Sequence, residues 1–209
     1  MKKIMFNDKF MLTKAVLNGT KTMTRRLLKV PKTCNGKEVY SFNILTNNAG
    51  TQCVDLVDEN GGVLDIWEPR YEVGEVVAIA QPYKDIIERL PMYSDAILGV
   101  DGIPRKEFKA GWTNKMFVRA DLMPHHIRIT DVKVERLQDI SDYDILREGV
   151  WQFYDDKNLF YVSKNIGYTP DVAFPSAREA FWYLIDKISG KGTWERNQVV
   201  EAYTFERVD

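Results

Sequence analysis

Cysteine is scarce. Cys34 and Cys53 are the two in 209 residues, too few for a disulfide framework and without the paired spacing of a metal site. Histidine is equally rare: His125 and His126 stand alone, with no HExxH or Cys-x-x-Cys pattern beside them, which argues against a zinc enzyme. No apolar run approaches the roughly 18 residues of a membrane span. Asn7-Asp8-Lys9 interrupts the run that would have to follow Lys2-Lys3 in a signal peptide. P-loop and GxGxxG patterns are missing, so phosphoryl transfer and dinucleotide binding lack support. Internal repeats and low-complexity tracts are missing too. What remains is a soluble, cytoplasmic protein with no metal, no organic cofactor and no membrane partner.

The composition, 44% hydrophobic and 28% charged, is that of a globular chain able to bury a core, and the length fits one domain over residues 1–209. Charge is unevenly spread. Met1 to Lys37 carries ten Lys and Arg against one acid, Asp8; the whole chain is at -1, so the rest carries -10. Such asymmetry predicts an anion-facing surface on an acidic body, not a protein that coats long duplex DNA.

Apolar spacing from Phe10 to Leu17 predicts a helix that stops at Asn18-Gly19, Gly19 fitting the left-handed position past its end. Thr20 to Arg26 reads as the loop or short strand leaving it. Residues 31–50 read as irregular connection. Val54–Val57 and Val63–Trp67, flanking Asn60-Gly61-Gly62, predict a hairpin, and Gly74 to Ala80 a buried strand. A strand begins at His126, with one slip at Thr130-Asp131 that marks a bulge. Ser141 and Ser176 each open a helix with capping-box spacing, the first ending at Glu148-Gly149 and the second at Ser189-Gly190. Val199, Glu201, Tyr203 and Phe205 share one face of a closing strand. The stretches 83–115 and 151–175 have no period and read as insertions. Strands scattered among three short helices predict an α+β chain built on a small barrel.

The segment richest in chemistry is Gly19 to Arg26. Lys21, Arg25 and Arg26 surround the hydroxyls of Thr20, Thr22 and Thr24, which makes either an anion cradle or a catalytic pair. In the second case Thr24 supplies a nucleophile that is weak until a base takes its proton. Lys21 is that base if the like charge of Arg25 and Arg26 lowers its pKa. The bland alternative is a solvated basic strand. Glu148, in the last turn of a short helix, faces a dipole that disfavours a carboxylate, as suits a general acid; the alternative is an exposed Glu before a capping Gly. Trp194 either stacks on a base or packs at the barrel rim. His125 and His126 are expected on opposite faces of a strand, one core and one surface.

Three segments carry a resemblance. Asn18 to Arg26, NGTKTMTRR, resembles the opening signature of ASCH-domain proteins. Ile127 to Val150 is similar to that family's strand and short helix ending in Glu-Gly, and Ala180 to Val208 to its last helix, Trp-containing loop and closing strand. The chain looks most like the longer ASCH proteins of phages and prophages. The resemblance implies a PUA-like β-barrel with flanking short helices, loop insertions near 36–70, 83–115 and 151–175, and RNA or a modified nucleoside as partner. One small branch of the family is a metal-independent amidohydrolase that removes acetyl from N4-acetylcytidine. Its lysine base, threonine nucleophile and glutamate acid match Lys21, Thr24 and Glu148, while Thr22, Arg25, Arg26 and Trp194 would bind ligand. One departure stands out. Longer relatives continue the Gly-Asp strand with Trp-Val-Arg-Glu, where this chain has Ala78, Ile79, Ala80 and Gln81. Two rivals to the amidohydrolase are a non-catalytic RNA-binding module, with Lys21, Arg25 and Arg26 on phosphates, and a phage protein-interaction domain.

Overall fold

The computed structural model describes residues 1–46, 52–162 and 172–209. Its strands are β1 (Lys3–Ile4), β2 (Met23–Leu27), β3 (Thr33–Cys34), β4 (Lys37–Glu38), β5 (Ser41–Thr46), β6 (Gln52–Val57), β7 (Val63–Trp67), β8 (Val76–Ile79), β9 (His126–Arg136), β10 (Val150–Gln152), β11 (Phe160–Val162), β12 (Ala173–Phe174) and β13 (Val199–Arg207). The α-helices are α1 (Leu12–Leu17), α2 (Tyr83–Arg89), α3 (Ser94–Ile97), α4 (Asp142–Arg147) and α5 (Ala177–Ser189). The class is α+β, as expected. Among the described residues no helix is long and apolar enough to cross a membrane.

The principal sheet has the order β1-β8-β9-β13-β2, antiparallel except where β1 lies parallel to β8. Its edges are β1 and β2. Among the described residues no ladder joins them, so the sheet stays open where a closed barrel is expected. The sheet packs on α1, α4 and α5 through a cluster containing Leu12, Val16, Ile127, Ile129, Ile145, Phe181, Leu184 and Tyr203. Helix α5 contributes because Phe181, Leu184 and Ile185 recur at helical spacing on one stripe. Each large apolar side chain contributes roughly 1.5–3 kcal/mol on full burial. A second, three-stranded sheet, β5-β6-β7, packs on the first through Leu28, Val54, Leu56, Val134 and Val199.

Several expectations hold in detail. The hairpin is β6 and β7, Ser141 and Ser176 cap α4 and α5 by accepting from the amides of Asp144 and Glu179, and Gly19 has φ +75°. The slip in β9 is real: Asp131 pairs with Thr204 and Ile129 with Phe205, leaving Thr130 as the extra residue. Two adjacent outward residues there restore the inward phase for Val132 and Val134.

Other expectations need correction. Residues 31–46 are not irregular but hold β3, β4 and β5; long-range pairing with β6 makes β5 a strand despite its mostly exposed side chains. Asn47, Asn48 and residues 163–171 lie outside the described residues. The stretch after β8 has a core of its own, with Tyr83, Ile86, Ile97, Phe108, Val118 and Met123 gathered over Ala78 and Ala80. The small side chains of Ala78 and Ala80 are therefore the floor on which this excursion packs. His125 precedes β9, so alternation does not separate it from His126. Both rings are half-buried and both reach Asp209, at 3.6 and 2.7 Å.

Candidate active site

Three chain segments meet beside the open edge of the principal sheet. After α1, the amides of Thr20 and Lys21 both donate to the carbonyl of Ala15, which turns the chain sharply at Gly19. The next amide, Thr22, donates to the carbonyl of Arg147 at the end of α4, and the Thr22 carbonyl accepts from Phe205 of β13. Lys21 is thereby held between a helix end and the sheet. Helix α4 ends on Glu148, and Gly149 follows with φ +103°, a conformation that favours glycine. A Cβ there would stand 2.8 Å from Leu12 Cδ2 and 3.6 Å from Lys21 Cδ. Glycine is thus what lets α1, Lys21 and α4 approach.

The result is a buried ion pair. Lys21 Nζ donates to Glu148 Oε2 at 2.7 Å and to the Glu148 carbonyl at 2.6 Å, and the two side chains are 2% and 5% exposed. Arg25 Nη1 donates to the other carboxylate oxygen, Oε1, at 3.1 Å. The remainder of the Arg25 guanidinium faces Glu135 at 2.6 Å and Asp144 at 3.7 Å. Two buried cations therefore meet three carboxylates, and Glu148 accepts from both cations. Charges removed from water persist only when paired in this way. Burial pushes the Lys21 ammonium below its ordinary value; Glu148 opposes the shift, while Arg26 and Arg25 reinforce it.

Lys21, Thr24, Arg25, Arg26 and Glu148 line one cleft of about 330 Å³, with Met5 and Phe6 on one side and Phe181, Leu184, Ile185 and Ile188 of α5 on the other. Thr24 is buried, and its hydroxyl has no hydrogen-bond partner among the described residues. Arg26 donates to the carbonyl of Met5 and lies over the Phe6 ring, 5.6 Å from its centre, a strap across the gap between β2 and the chain after β1. Burial lowers its pKa as well. Two expected ligand contacts are placed elsewhere. Thr22 accepts from Arg147 Nε at 3.0 Å and does not line the cleft. Trp194 stands edge-on behind Phe181, with ring centres 6.0 Å apart and the Arg178 guanidinium over it, so it backs the cleft wall. Glu135, Asp144 and the α5 stripe escaped sequence reading because nothing local links them to Arg25, 110 residues away in the case of Glu135.

A roomier hollow of about 500 Å³ runs along α5 past Phe174, Trp182 and Tyr183, and none of these charged residues lines it. No group of His, Cys, Asp and Glu placed to hold a metal ion occurs among the described residues. Comparison of the chain with protein-family models, with curated proteins and with solved structures found no significant match.

Proposed function

We propose that this chain is a cytoplasmic ASCH-type protein, its open sheet a variant of the PUA-like barrel, and that the cleft is the active site of an amidohydrolase acting on an N4-acylated cytidine. The observation that carries this reading is convergence. Lys21, Thr24 and Glu148, up to 127 residues apart, line one cleft, and the first and last are in direct contact while almost wholly buried. A buried lysine–glutamate pair can also exist as amine and acid after one proton crosses the 2.7 Å contact, with no change in net charge. Those are the forms that a base and an acid need.

In this mechanism the Lys21 amine takes the proton of Thr24 as Oγ1 attacks the acyl carbon. The carbon–nitrogen bond then breaks as Glu148 gives its proton to the departing N4 amine. Water hydrolyses the threonyl ester, losing a proton to Glu148, while Lys21 returns its proton to the Thr24 oxygen. The acid, the base and the hydroxyl are all restored. The pairing of Lys21 and Arg25 with Glu148, Glu135 and Asp144 argues against a phosphate cradle at the same place, because their charge is already met within the protein. The rival RNA-binding reading draws on Lys29, exposed at the rim of the same cleft and without a side-chain partner among the described residues.

Chromatography of N4-acetylcytidine incubated with the protein tests the proposal. Conversion to cytidine is expected, falling about a thousandfold or more in Lys21→Ala and in Thr24→Ala, with nucleoside binding largely kept. No conversion by folded wild-type protein would overturn it. A binding constant for single-stranded RNA that falls steeply with salt would then favour the rival.

A further inference from the structure

Beyond the strap formed by Arg26 and Met5 lies a second cleft of about 320 Å³, sharing Met5, Arg26, Leu27 and Lys29 with the first. Glu201 of β13 lines it and is 6% exposed. Its carboxylate meets no cation within ion-pair distance among the described residues. Instead two neutral donors hold it, Trp67 Nε1 to Oε1 at 3.2 Å and the Tyr203 hydroxyl to Oε2 at 2.5 Å. Each oxygen thus keeps a lone pair free, and a buried carboxylate held only by neutral donors attracts two more N–H groups side by side. The Trp67 indole, half-buried at the end of β7, offers an aromatic wall beside it. Lys29 and Arg70, both exposed on the rim, make no side-chain hydrogen bond or ion pair among the described residues.

We infer that this second cleft binds a nucleobase with two adjacent N–H donors, the guanine pattern, stacked on Trp67 and bonded edge-on to Glu201, with its phosphate toward Lys29 and Arg70. Pairing of a planar donor pair with a carboxylate gives geometric specificity as well as attraction, and aromatic stacking adds affinity that any base can share. The sequence places Trp67 here by way of the β5-β6-β7 sheet, so one of the insertions builds the cleft. Because the two clefts adjoin, the substrate class becomes an oligonucleotide in which a guanine neighbours the acylated cytidine. That last step rests on the function proposed above; binding at the second cleft does not.

Equilibrium binding of the four nucleoside monophosphates to the full chain tests the inference without turnover. Guanosine monophosphate should bind about tenfold or more tighter than the adenosine, cytidine and uridine monophosphates, and Glu201→Gln should bring the ratio close to one. Inosine monophosphate lacks the exocyclic amine and should lose most of the preference on wild-type protein, a comparison that stands even where the variant does not fold. Arg70→Ala should weaken guanosine monophosphate binding and leave guanosine unchanged. Equal binding of all four monophosphates, or none of any, would overturn the second cleft. If guanine binds with this preference and N4-acetylcytidine is never converted, the function proposed for the first cleft fails while the second stands. Conversion without guanine binding is the reverse.

Discussion

The two adjoining clefts each carry one buried carboxylate, and they treat it in opposite ways. Glu148 faces two cations, Lys21 and Arg25. Glu201 faces a phenol and an indole. The first carboxylate is spent within the protein, since breaking that pair would strand buried charge. The second is held by two neutral donors alone, which leaves a lone pair on each oxygen open. Burial alone therefore does not distinguish a carboxylate neutralised within the protein from one left open to a donor from outside; the charge of its partners does.

The largest break in this contrast should come from Glu148→Ala. It leaves Lys21 without its carboxylate partner and costs about 3–5 kcal/mol of stability by urea unfolding, whereas Glu148→Gln, which keeps an acceptor and the volume, costs less. A loss below about 1 kcal/mol for the alanine variant would mean that water reaches the pair, and the contrast would collapse. Glu201→Ala should cost less, about 1–3 kcal/mol, the expense of leaving the Tyr203 hydroxyl and the Trp67 N–H without an acceptor. Equal losses at the two positions would show that Glu201 is held as firmly as Glu148.

The smallest effect sharpens the comparison through pH. Folded Lys21 binds its proton less tightly than in the unfolded chain, where the ordinary value of 10.5 applies. Between the lowered folded value and 10.5 the unfolded chain holds more protons, so stability from this group rises with pH; below the lowered value the contribution is absent. Urea midpoints across alkaline pH should therefore show wild type gaining on Lys21→Met as 10.5 is approached. Parallel profiles would sink the claim that burial governs Lys21.

How much of this was legible in the sequence follows the range of the interactions. Helices α4 and α5, the β6–β7 hairpin and the slip at Thr130 rest on caps, turns and periodicity within a few residues, and all were readable. Strand β1 was not, since two residues have no period and acquire a strand conformation only by lying beside β8. Lys21, Thr24 and Glu148 were readable as candidates. That Lys21 and Glu148 touch, that Arg25 shares the same carboxylate, and that Trp194 stands behind the wall depend on packing between distant segments. Glu201 and Tyr203 read as one face of a strand, which already sets the phenol beside the carboxylate, but nothing local announced that Trp67, far away in the chain, would donate to its other oxygen.

Thr130 has a consequence of its own. A strand distinguishes inside from outside by parity, odd positions one way and even the other. One unpaired residue in β9 exchanges the two, so that Val132 and Val134 face inward like Ile127 and Ile129 although the count between them is odd. Downstream, that exchange also decides which way Glu135 faces, and so whether Arg25 has its nearest carboxylate. Substituting Thr130 would be mild. Removing it would leave a regular alternation with Val132 and Val134 still inward, whereas keeping it in a ladder paired without the bulge would turn Asp131 and Lys133 into the core and carry Glu135 away from the guanidinium, with the damage felt in a cleft that Thr130 never touches.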